Sequence, residues 1–171
     1  MKLGLYAMLA AGLAGCQSIP SDAPRASANL QATTGSKTAG PVDFYQVGNK
    51  VRVVANVSGL TPGREHGFHI HEAGDCSSGD GMSAKGHFNP QGKPHGHPQS
   101  GERHAGDMPA LRADGSGSAR IDTELDLITV MPGPTSVVGR GLIVHADPDD
   151  YNTQPTGNAG ARLACAVIQR R

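Results

Sequence analysis

The chain has 171 residues, with 15 Lys plus Arg against 15 Asp plus Glu. That length suits one domain with a real core, and the charge balance leaves no bulk attraction for nucleic acid or an anionic surface. With 24 Gly, 12 Pro and no Trp, short strands, turns and long loops are expected rather than long helices.

In chain order, residues 1–15 come first. Lys2 precedes a short apolar run from Leu3 to Leu13, too short for the roughly 20 apolar residues that span a bilayer. It fits the apolar segment of a secretory signal. Leu13-Ala14-Gly15-Cys16 resembles the lipobox of bacterial lipoproteins. The resemblance implies a signal peptide over 1–15 and lipid on the Cys16 sulfur, so that the protein is anchored rather than spanning. Gln17 after Cys16 leans towards the outer membrane. The expected location is therefore the periplasmic side of a bacterial cell envelope, with the membrane reached only through the lipid. Residues 16–27 read as a lipidated flexible tether, and 28–171 as the folded domain. With Cys16 acylated, Cys76 and Cys165 remain, and a secreted chain with two thiols usually pairs them.

Strand patterns dominate the rest. Val51, Val53, Ala55 and Val57 alternate with Arg52, Asn56 and Ser58, the mark of a half-buried antiparallel strand. Ile121, Thr123, Leu125 and Leu127 alternate likewise with Asp122, Glu124 and Asp126. PVDFYQVG, RGLIVHA and RLACAVIQ are further strands. Turn residues such as Pro62-Gly63 and Asp114-Gly115 separate the runs. The fold class expected is all-β, a Greek-key sandwich or flattened barrel of about eight antiparallel strands. Residues 73–109 and 146–160 do not read as strands, and loops of that length in a compact domain are usually functional.

Eight histidines lie between His66 and His145. On a strand, the His69 and His71 of GFHIHE share one face and Phe68 and Ile70 the other. The apolar pair would enter the core. The imidazoles would stand side by side, roughly 7 Å apart, able to converge on one metal ion. His87, His95, His97, His104 and Asp107 follow in the first loop, and His145 ends a strand. Imidazole suits copper or zinc, and a carboxylate added to imidazoles suits zinc. The ligand supply is enough for two sites.

At this point GFHIHEAGDC, GHFNP, ERHAGD, VVGRGLIVHADPDD and GNAGARLACAVI together resemble the successive motifs of the copper,zinc superoxide dismutases, from about residue 28 to 169. The resemblance implies one copper and one zinc per chain. It implies copper on His69, His71, His87 and His145, and zinc on His87, His95, His104 and Asp107, so that His87 bridges the two. It implies a catalytic role for His87 as proton donor and for Arg162 as the arginine that attracts the anionic substrate. It implies a Cys76–Cys165 disulfide and a carboxylate, Asp149, linking a copper histidine to a zinc histidine. The implied reaction turns two superoxide anions and two protons into oxygen and hydrogen peroxide, which would protect the cell envelope.

His66 shares parity with Phe68 and Ile70, so packing or hydrogen bonding is its expected role. His97 reads as a solvated loop residue. The loop from His145 to Arg162 is shorter than in animal members and lacks their Lys/Glu cluster. A homodimer is the assembly considered. Two other functions compete: a module that buffers copper or zinc, and a structural lipoprotein that kept the fold and lost activity. A carrier would be expected to expose clustered Met, whereas Met82, Met108 and Met131 are far apart in sequence.

Overall fold

A computed structural model of the chain describes residues 23–171. The expected signal segment 1–15, Cys16 and the first part of the tether lie outside the described residues. Among the described residues there are ten strands: β1 (Arg25–Ala32), β2 (Gly40–Val47), β3 (Lys50–Val57), β4 (Glu65–His66), β5 (Phe68–His71), β6 (Leu111–Arg112), β7 (Ala119–Leu125), β8 (Gly141–His145), β9 (Arg162–Val167) and β10 (Gln169–Arg170). The single helical element among the described residues is one 3₁₀ turn, Met82–Ala84.

The strands run antiparallel in the order β5-β8-β9-β1-β2-β3-β7, with β10 also on β1, and the sheet curls into a half-barrel. The links from β3 to β5 and from β7 to β8 cross from one end of this order to the other. The all-β antiparallel class expected from the alternating runs therefore holds. β4 and β6 form a separate two-stranded ladder. These two-residue strands and β10 carry no periodic signal, because their partners' hydrogen bonds define them. β1 begins at Arg25, so the boundary expected at residue 28 falls inside a strand. Its inward residues Ala26, Ala28 and Leu30 are buried, but two of the three are alanines, which mark an apolar face weakly.

Alternation places the core. Val51, Val53, Ala55 and Val57 are buried in β3, and Arg52 pairs outward with Asp122 across β7 at 2.7 Å. Phe68 and Ile70 of β5 meet Leu142, Val144, Ala164 and Ala166 in the main core. Ile143, on the other face of β8, packs with Ala84 and the Cys76–Cys165 disulfide. Strand β5 is buried at all four positions. One face is filled by apolar groups and the other by His69 and His71.

Candidate metal centre

β5 is the edge of the sheet, and loop 73–109 docks on its free side. Ile70 donates its N–H to Gly106 O (3.0 Å) and accepts from Phe88 N–H (2.8 Å), while Glu72 N–H donates to Gly86 O (2.9 Å). These bonds set His71 opposite His87 and His69 opposite Asp107. The approach needs a glycine at 106, where a Cβ would fall 2.3 Å from Ile70 O. On the other side of β5, β8 pairs with β9 up to a bulge between Val144 and His145, which sets His145 opposite Arg162.

Two groups of four side chains result. His69, His71, His87 and His145 form the first; His87, His95, His104 and Asp107 form the second. All seven residues are buried. Every metal ligand expected from the sequence is thus brought into one of the two groups, and His87 belongs to both.

Hydrogen bonds fix which imidazole nitrogens face inward. His69 Nε2–H donates to Asp149 Oδ2 (2.8 Å), His71 Nδ1–H to Lys85 O (2.8 Å), and His145 Nδ1–H to Gly160 O (3.3 Å). Their other nitrogens are left as lone pairs. Nε2 of His71 and Nε2 of His145 face each other at 3.4 Å. His69 Nδ1 and His87 Nε2 are buried with no hydrogen-bond partner. Buried polar atoms are rarely left so; facing one another, these four lone pairs fit a metal ion.

In the second group, the Nδ1 atoms of His87, His95 and His104 lie 2.8, 3.1 and 3.2 Å from one oxygen, Asp107 Oδ1. Tetrahedral zinc with bonds of about 2.0–2.1 Å spaces its ligand atoms about 3.3–3.4 Å apart. Three imidazoles and one carboxylate at nearly that spacing fit zinc. Burial opposes ionisation of Asp107, but its hydrogen bonds with His104, His87 and His95 hold it far below the usual carboxylate range. Asp149 is held low in the same way, by His69 and His95. Burial pushes His87 down to about 4 and lowers His71 and His145 well below the ordinary value. These three imidazoles are therefore neutral at pH 7 and able to coordinate.

Arg162 lies at the edge of the first group. It donates to Gly81 O (2.7 Å) and Lys85 O (2.6 Å), both uncharged carbonyls. Its guanidinium is held by the same loop segment that orients His71, and it is partly exposed. Cys76 and Cys165 form the expected disulfide, Cα to Cα 5.8 Å.

His66 is buried outside both groups, with Nδ1 2.8 Å from His145 O, which matches its expected structural role. His97 also stands outside them. It is exposed, as a loop residue facing solvent is, accepts from Gln99 N–H (3.1 Å) and sets its ring against Tyr151 at 4.6 Å. Reading side chains alone missed Gln154, which bonds the main chain of His95, and the carbonyl of Lys85, a backbone atom that no residue type announces.

The chain matches the model of the copper/zinc superoxide dismutase (SODC) family over residues 38–168. It belongs to the copper/zinc superoxide dismutase family. It is similar to "Superoxide dismutase [Cu-Zn] 2" of Aquifex aeolicus (strain VF5), 40% identical over 149 residues, which cover 85% of this chain and 86% of that one. It is 44% identical to the "Superoxide dismutase [Cu-Zn] 2" of Brassica juncea, covering 81% of this chain and 93% of that one. The crystal structure of the clock protein EA4 shares the fold with a TM-score of 0.78 and 41% identity, over 87% of this chain and 96% of that one. The chain is accordingly an oxidoreductase of the superoxide dismutase type, with one copper and one zinc as cofactors.

Proposed function

We propose that copper is held by His69, His71, His87 and His145 and zinc by His87, His95, His104 and Asp107, with the His87 ring shared between them, and that this centre dismutates superoxide in the cell envelope. The observation that supports this reading is the place of His87 in both ligand groups. Copper bound at the first group supplies reversible one-electron redox chemistry, and zinc a closed, structural positive centre.

The chain's own residues do the rest. Arg162 presents a fixed positive charge to the small anionic substrate, raising its local concentration. His87 Nε2, which has no other partner, is the atom that would take up a proton and pass it to the reduced anion, while Nδ1 stays held by Asp107 at 2.8 Å. Asp149 keeps the His69 and His95 rings in register through its two oxygens. Two superoxide anions and two protons yield one oxygen and one hydrogen peroxide.

The location rests on the lipobox-like LAGC. Cys16 carries the lipid, and the domain sits on the periplasmic side of the outer membrane. Labelled fatty acid should enter the wild-type protein and not Cys16→Ser, and membrane fractionation should follow the label. Assembly as a homodimer is part of the same reading and is checked by analytical ultracentrifugation. The function itself is tested by superoxide removal and metal content on one sample. Activity at about one copper and one zinc per chain supports it. Full loading without activity would favour a metal-buffering module.

A further inference from the structure

Loop 146–160 supplies none of the seven side chains in the two groups, yet it grips one of them closely. The Gln154 carboxamide meets the main chain of His95 twice: its Oε1 accepts the His95 N–H at 2.8 Å, and its Nε2 donates to His95 O at 2.8 Å. This is the pairing a neighbouring strand would make, supplied by a side chain 59 residues away in sequence. The His95 ring is held from the same loop, with Nε2 3.1 Å from Asp149 Oδ1. The backbone of Gly157 closes over that contact. A Cβ there would fall 1.9 Å from Asp149 Oδ1 and 2.6 Å from His95 Nε2, at a φ of +70°.

His95 lies on a segment with no strand ladder to place it, although its neighbour Gly96 donates its N–H to Asp107 Oδ2 (3.2 Å). It sits between Pro94 and Gly96 in a run without strand or helix. Pro94 donates no N–H. A ligand on such a segment is placed only as well as its outside partners place it.

We infer that Gln154 is a positioning residue for the second metal group. By clamping the His95 backbone it fixes the Nδ1 that faces Asp107, and so it sets how tightly zinc is kept. The inference rests on the zinc assignment of that group.

Zinc affinity measured by chelator competition on the full-length protein tests it. Outer partners of metal ligands typically contribute about 10–100-fold in affinity. Gln154→Ala should weaken zinc binding by about tenfold or more. Gln154→Glu keeps the acceptor for His95 N–H and loses the donor to His95 O, so it should fall between. Cobalt(II) in place of zinc should give altered visible bands in Gln154→Ala, reporting a displaced ligand. Thr153→Ala removes a bond inside the same loop, Oγ1 to Asp150 at 2.6 Å, and should bind zinc as the wild type does. Melting of the metal-free Gln154→Ala and Thr153→Ala proteins should agree. Wild-type zinc affinity in Gln154→Ala, or an equal loss in Thr153→Ala, would overturn the inference. His104→Ala separates the two ideas: if it keeps wild-type zinc affinity, the zinc assignment itself is wrong.

Discussion

Asp149 accepts the Nε2–H of His69 at 2.8 Å, with the imidazole fully buried and the carboxylate nearly so. That one contact settles the His69 tautomer, leaving Nδ1 to face the first metal group. The second oxygen of Asp149 stands 3.1 Å from His95 Nε2, so a single carboxylate touches both groups. Asp149→Asn keeps the shape and loses the charge. It should weaken retention of both metals by about 10–100-fold, read as metal content after dialysis against a chelator. Unchanged content would mean that the contact orients nothing.

His145 and His95 lie in different groups and separate the two functions. His145→Ala should reduce turnover to background while zinc stays bound, checked by activity and metal analysis on one preparation. A variant that still turns over would refute the placing of copper at the first group.

Arg162→Ala should lower the second-order rate with superoxide by roughly tenfold or more and flatten its dependence on ionic strength, because steering by local charge is screened by salt. Arg162→Lys should recover part of the rate, keeping the charge but losing the two-point hold on Gly81 O and Lys85 O. Stopped-flow rates over a salt series decide it.

The metal-free protein should be most stable near pH 6.5. Burial keeps His87 neutral down to about 4 and lowers His71 and His145 as well. Unfolding releases these rings to take up protons, so stability falls as pH drops from 6.5 towards 4. His95 runs the other way. Burial opposes its charge, but Asp107 and Asp149 outweigh that and raise it to about 9. Its contribution is complete below 6.5 and lost as pH rises through 9. Calorimetry across pH should show both slopes, and His95→Ala should remove the alkaline one.

The disulfide joins residues 89 apart. Loop-closure entropy sets its stabilisation at roughly 4–5 kcal/mol as an upper figure. Cys165→Ser, or reduction, should lower the denaturation midpoint accordingly and speed proteolysis within 73–109, whose N-terminal end the bridge pins to β9. Equal midpoints with and without reductant would show that the hydrogen bonds onto β5 suffice.

Much of this centre is written in local order along the chain. A strand's period of two places His69 and His71 on one face and Phe68 and Ile70 on the other, and the structure fills those faces with the buried imidazoles of the first group and with core. The same period reads β3 and β7 from alternating residues, while β2, β8 and β9 are marked as short runs between turns, β8 being buried throughout and apolar as far as Val144. Composition marks 73–109 and 146–160 as loops, and the resemblance of the motifs to a known family implies the ligand set. What tertiary structure decided depends on partners remote in sequence. The bulge that sets His145 opposite Arg162 exists only in the β8–β9 ladder. The docking of 73–109 on the edge of β5 is carried by backbone hydrogen bonds, to which side-chain patterns are blind. The hold of Gln154 on His95 joins two loops that share no periodicity. Side-chain chemistry and spacing are local properties, legible one strand at a time; the convergence of seven side chains into two groups is a property of how the strands and loops pair.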